Sequence, residues 1–161
     1  MKRILCAVLL AAILISAVSC SEKTVTYKDN LSPPELASLA SSELTNAANI
    51  DEVDDFYIEA SMGIDVSKSE SHYAAIQTGG TELDEFGIFK MSDETKAEEM
   101  KKDLEAYLKD RVDNYDTRYY IEELPKFEKA EVRVFGKYAV FAVLSETDKT
   151  AFFTSIEDTL K

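Results

Sequence analysis

Apolar residues along this chain recur with two periods, one helical and one alternating, and the switches between them lay out its elements. Leu36, Leu39, Ala40, Leu44 and Ala47 fall at helical spacing. Ser32-Pro33-Pro34-Glu35 precedes them, with a capping serine, a proline at the first helical position and a glutamate placed to close a capping box. The pattern predicts a helix over about 33–47. Residues 51–63 support two readings. Phe56, Ile58, Ala60 and Met62 alternate as in a strand, whereas Asp54 can cap a short helix that Gly63, followed by Ile64, would stop; the short helix is preferred. Val66 to Glu70 is polar and reads as a loop. His72 to Thr78 reads as a strand, Gly79-Gly80 as a turn, and Leu83 to Met91 as a second strand. Phe86 and Ile88 fall on one face of that strand and Phe89 and Met91 on the other, which suits a position inside a sheet.

Ala97, Met100, Leu104, Tyr107, Leu108, Val112 and Tyr115 step by three and four and predict a long amphipathic helix from Ser92 to Tyr115. Ser92 is its expected cap, and Asp93 and Glu94 suit the positive end. Glu98–Lys102 and Glu105–Lys109 are expected pairs on its solvated face. Asp116 to Lys129, with Pro125, reads as an irregular connector holding at most one helical turn. Ala130 to Phe135 and Tyr138 to Leu144 are strands joined by Gly136-Lys137, a loop that fits a type II′ hairpin. Asp148 is the expected cap of a last helix that turns Phe152, Phe153, Ile156 and Leu160 inward. The fold class that follows is α+β: an antiparallel sheet of about four strands with the long amphipathic helix and a C-terminal helix packed on it. Residues 32–161 form one domain, and its ββαββα run has the outline of a loose duplication.

The first residues obey neither period. Lys2 and Arg3 are followed by an apolar run from Ile4 to Val18, interrupted only by Ser16, and then by Ser19-Cys20. That run is about fifteen residues, short of the roughly twenty that span a bilayer, and a polar stretch follows at once. These are the marks of a secretory signal peptide over residues 1–19. Ala17-Val18-Ser19-Cys20 resembles the lipobox of bacterial lipoproteins, with Ala17 where leucine is preferred. The resemblance implies cleavage before Cys20, lipidation of its sulfur with palmitate-type acyl chains, and attachment to the extracytoplasmic face of the cell membrane. One acyl chain holds only reversibly, and two or three hold firmly. Residues 20–31 then read as the lipidated cysteine and a flexible tether.

Processing changes the chemistry that remains. Cys6 leaves with the leader and Cys20 is used by lipid, so no disulfide framework and no thiol catalysis is expected. The mature chain keeps 16 basic against 31 acidic residues, a formal charge of −15. Such a body repels nucleic acid and anionic headgroups. The only histidine, His72, cannot form a metal site alone and lacks a nucleophile-elbow motif around any serine. The five glycines are scattered and make no phosphate loop. Asp51, Glu52, Asp54 and Asp55 are the densest acidic cluster, but calcium-loop spacing is absent, and an acidic helix start accounts for them. There is no tryptophan to stack on a sugar. Tyr107, Tyr115, Tyr119 and Tyr120 gather near the end of the long helix, either as a recognition surface or, as preferred, as a cover for the open end of the sheet.

Three stretches, in order, resemble one family. They are Met62-Gly63-Ile64-Asp65, Glu85-Phe86-Gly87-Ile88-Phe89-Lys90, and the hairpin Val134-Phe135-Gly136-Lys137-Tyr138-Ala139-Val140-Phe141. Over about residues 35 to 155 the chain resembles the domain of unknown function 4358 family (DUF4358). Lys137 stands where the family commonly has asparagine. The resemblance implies a small lipoprotein of Gram-positive bacteria, with no assigned activity and no catalytic residues. The expectation is therefore a membrane-anchored, non-catalytic interaction module of the cell envelope. Cys20 is its one modified residue, the lipid bilayer its first partner, and an envelope protein or wall component its second. No cofactor, no metal site and no nucleic-acid partner is expected. The alternative is a small-ligand or cation-binding lipoprotein.

Overall fold

The computed structural model describes residues 25–161. The expected leader and Cys20 lie outside the described residues. Helix α1 (Pro33–Ser41) is followed by strand β1 (Ile50–Glu52), helix α2 (Asp55–Ser61), strands β2 (Ser71–Gln77) and β3 (Glu85–Lys90), and the long helix α3 (Glu94–Asp113). Helix α4 (Leu124–Glu128), strands β4 (Glu131–Phe135) and β5 (Tyr138–Val143), and helix α5 (Glu146–Leu160) complete the order. The five strands form one sheet in the order β1-β2-β3-β5-β4, and each neighbouring pair is antiparallel. The fold is α+β.

The sheet is the middle of three layers. Phe86, Ile88, Val140 and Ala142 pack with Leu36 and Ala40 of α1 and Phe152, Phe153 and Ile156 of α5. Phe89, Phe141 and Val143 pack with Ile58 of α2, Met100 and Leu104 of α3 and Phe127 of α4. Both faces of β3 and β5 are thereby covered, which is why these strands read as nearly unbroken apolar runs. Each fully buried side chain of this size contributes roughly 1.5–3 kcal/mol.

Several expectations are met in detail. Ser32 and Glu35 form the capping box of α1. Residues 55–61 are the preferred short helix, capped by Asp54. Gly63 ends it at φ 68°, with the Ile64 amide donating to the Ile58 carbonyl. Gly136 has φ 58° and Lys137 is not in the positive-φ region, as a II′ hairpin requires.

Other details differ, each for a local reason. The fifth strand, β1, has three residues, too few to show a period. Helix α1 stops at Ser41, well before residue 47: the Glu43 and Leu44 amides turn back to the Ala40 and Ser41 carbonyls, and the Thr45 amide donates to the Asp148 carboxylate at 3.2 Å. Asp148 is not the cap of α5; Ser145 is, and Asp148 bonds Ser145 and Thr45 instead. Asp93, not Ser92, caps α3 through the Lys96 amide at 2.9 Å. The solvated face of α3 pairs Lys96 with Glu99, Lys101 with Glu105 and Lys109 with Asp113, in place of the expected partners. Exposed pairs of this kind are each worth about 0–1 kcal/mol, so their register is weakly fixed. The connector holds a 3₁₀ turn at Ile121–Glu123 and then α4.

Residues expected to be tether are in part docked. The Lys28 amide donates to the Leu160 carbonyl at 2.8 Å. The Tyr27 ring meets Phe135 edge-on at 5.6 Å. Asp29 pairs with Lys137 at 2.7 Å, and the Tyr138 hydroxyl donates to the Leu31 carbonyl at 2.7 Å. The chain is therefore fastened to the hairpin end of the sheet from Tyr27 onward.

Candidate functional site

The other end of the sheet, where β3 begins and α3 finishes, carries the densest buried polar chemistry of the described residues. β3 alternates its faces, so Glu85 points to the same side as Phe89, toward α3. There α3 presents Tyr107 and, one turn on, Arg111. The Tyr107 hydroxyl donates to Glu85 Oε1 at 2.8 Å, and Arg111 Nη1 donates to Glu85 Oε2 at 2.8 Å. Arg111 Nη1 also reaches the Tyr107 oxygen at 2.6 Å. Glu85 is buried, at 3% exposure. Burial pushes its pKa up, against the pull of Arg111 and the two hydrogen bonds. Burial, reinforced by the Glu85 charge, also raises the Tyr107 phenol far above its usual range, so it stays a donor. The Arg111 guanidinium lies 4.7 Å from the Phe127 ring centre, a cation–π position.

A second cluster adjoins it. Lys126 reaches Asp84 and Glu123, each at 2.7 Å, and the Glu123 carboxylate accepts from the Leu83 amide at 2.9 Å. Burial raises the Asp84 pKa. Burial works against the Lys126 ammonium, but its two carboxylate partners outweigh that and hold its pKa up. These groups tie α4 and the preceding turn to the start of β3. Each charged group already has an opposite charge in contact, which is what burial at this depth demands.

Above them lies a cleft of about 250 Å³, lined among others by Leu83, Asp110, Arg111, Tyr115, Tyr119 and Tyr120. Tyr115 stacks obliquely on Phe127 at 5.4 Å, and its hydroxyl donates to the Tyr120 carbonyl at 2.6 Å. That bond holds Tyr120 at φ 50°, ψ 41°, the only non-glycine residue with positive φ among the described residues. Tyr119 is 65% exposed, Tyr120 43% and Ile121 52%. The four tyrosines singled out in the sequence are thus brought to one region but divided in role. Tyr107 belongs to the core and Tyr115 is a partly covered hinge piece. Tyr119 and Tyr120 stand open to solvent, so the preferred reading of all four as a cover does not hold for these two.

The acidic cluster is dispersed. Asp51 accepts from the Thr78 hydroxyl, Glu52 is exposed on β1, Asp54 caps α2, and Asp55 meets His72 Nε2 at 3.0 Å. Among the described residues no three His, Cys, Asp or Glu side chains converge as metal ligands. His72 Nδ1 faces the Ser69 hydroxyl at 3.2 Å, which gives a serine–histidine–aspartate chain in outline. Its chemistry is different. Ser69 Oγ is 2.8 Å from the Val66 carbonyl and can donate there, and His72 stacks on Phe89 with its ring centre 6.0 Å away. The chain pins α2 and the following turn to β2.

Two residues of this region, Glu85 and Arg111, escape a reading by hydrophobic period. Their signal was present. Each is a charge on the apolar stripe of its element, and the two charges are opposite.

The family model described as Domain of unknown function (DUF4358) matches residues 42–144. The chain belongs to the DUF4358 family. The DUF4358 match takes in the five strands, α2 to α4, both buried polar clusters and the cleft, and leaves out α1 and α5, which cover one face of the sheet. No curated protein and no solved structure matches the chain. No helix of the described residues is long and apolar enough to cross a membrane.

Proposed function

We propose that this DUF4358 protein is a lipid-anchored extracytoplasmic protein, held to the cell membrane through Cys20, whose domain is a non-catalytic interaction module of the envelope. The observation that carries the reading is the leader. A positively charged start and a short apolar run end on Ala17-Val18-Ser19-Cys20, with no other thiol left after cleavage. The site geometry supports the second half. Glu85, Tyr107, Arg111, Asp84, Lys126 and Glu123 satisfy one another, which suits a scaffold that holds a surface in place. The partner is an envelope protein or a wall component.

Metabolic labelling with an alkyne-bearing palmitate tests the anchor. The wild-type chain takes up label and stays with washed membranes, and Cys20→Ala does neither. Equal labelling of the two chains refutes the assignment.

A further inference from the structure

From the geometry we infer that the tyrosine-lined cleft at the α3–α4 end is a docking surface for a lysine- or arginine-bearing segment of an envelope protein, and that it is presented away from the membrane. The inference rests on the anchor proposed above for its orientation, and on the cleft alone for its ligand.

Orientation follows from chain connectivity. Tyr27 to Leu31 are fixed at the hairpin end of the sheet, beside Lys137 and Tyr138. Tyr27 is seven residue steps from Cys20, a reach at full extension of at most about 25 Å. The hairpin end must therefore lie within that distance of the bilayer. Helix α3 starts near that end and runs 20 residues to the cleft, a length of about 30 Å. The docked Tyr27–Leu31 segment, from which the chain leads back to Cys20, and the cleft are at opposite ends of the domain.

The ligand follows from charge and aromatic surface. The cations nearest the cleft are matched: Arg111 with Glu85, Lys126 with Asp84 and Glu123, Arg118 with Asp116. Asp110, which lines the cleft, and Glu122, beside Tyr115, have no cationic partner among the described residues. Burial holds the Tyr115 phenol above its usual pKa, and Glu123 and Glu122 add to this against Arg111 and Lys126. Tyr119 and Tyr120 are exposed beside it, and aromatic rings attract ammonium and guanidinium groups. The end already holds Arg118 over Tyr119 at 5.9 Å and Arg111 over Phe127 at 4.7 Å. A cavity of about 250 Å³ takes one or two long side chains, not a compact cofactor.

The test uses a fluorescein-labelled tetra-arginine peptide and anisotropy at 50 and 150 mM salt. The targets are the lipidated chain in phosphatidylcholine vesicles and the full Cys20→Ala chain in solution. Saturable binding is expected to both. It should weaken at least tenfold in Tyr119→Ala and in Asp110→Asn/Glu122→Gln, with unchanged circular dichroism. It should persist in Glu98→Gln/Glu105→Gln, which removes the same charge from the outer face of α3. Equal weakening in the two charge-removed chains, or indifference to Tyr119→Ala, overturns the site in favour of diffuse acidity. No binding, equal binding of a labelled tetra-glutamate peptide, or a dimer in sedimentation that Tyr119→Ala abolishes, also overturns it. A wild-type chain found to carry no lipid on Cys20, with binding retained in Cys20→Ala, would sink the anchor and leave the ligand standing.

Discussion

Gly87, in the centre of β3, has no room for a side chain. A Cβ placed there would sit 2.4 Å from Cε1 of Phe141, whose ring lies across the strand. Phe141 is fully buried against α3, so neither partner can move cheaply. Gly87→Ala should therefore lose about 2–3 kcal/mol in denaturant unfolding, the upper range for overpacking a core. Adding Phe141→Leu should recover part of that loss, because the two residues are in contact and their effects do not add. Glu85, two residues earlier on the same face, makes an electrostatic prediction. Its folded pKa is raised, so the native state holds its proton more tightly than the unfolded chain. The stability this contributes is full below the unfolded value, about 4.3, and is lost as pH rises through the folded value. Glu85→Gln, which mimics the protonated form, should be close to wild type at pH 4 and should gain on it as pH rises to 7. Paired urea titrations at the two values measure this, and a wild type that gains on the variant instead would mean that Arg111 outweighs burial.

At the scale of elements, the Asp148 carboxylate joins α5 to the turn after α1, which the chain separates by about a hundred residues. It accepts from the Thr45 amide and hydroxyl at 3.2 and 2.9 Å, and from Ser145 at 3.0 Å. Asp148→Ala should cost about 1–2 kcal/mol through these lost bonds. It should also free the Thr45 amide to exchange faster, which hydrogen exchange reads directly. The same contact shows where sequence period stops being informative. The long runs, β2, β3, α3, β5 and α5, were legible because burial on one or both faces imposes a period on the chain. The end of α1 was not, since the apolar spacing runs on through Leu44 and Ala47 while the residues after Ser41 bond back by three and across to α5. Nor was β1, whose three residues owe their pairing to β2. Tyr27 to Leu31 read as tether because their contacts are backbone hydrogen bonds, an ion pair and one ring edge, none of which leaves a periodic trace. The cleft was half visible. The cluster of tyrosines was plain, but its division into buried Tyr107 and open Tyr119 depends on the turn that places Tyr120 at positive φ.

At the scale of the whole molecule, the proposed anchor gives the two ends of the domain different surroundings. A lipid on Cys20 would hold the hairpin end near the bilayer, the strongly acidic domain would be repelled by anionic headgroups, and the tyrosine cleft would face outward. A single introduced cysteine can report on this, because in the proposed processing Cys6 leaves with the leader and Cys20 carries lipid. Lys28→Cys and Tyr119→Cys place a dye at the two ends, both at exposed positions. The measurement is quenching of each dye by a quencher confined to the bilayer, with the lipidated protein in vesicles. The account predicts strong quenching at position 28 and little at position 119. Equal quenching at the two positions, or the reverse order, would contradict it.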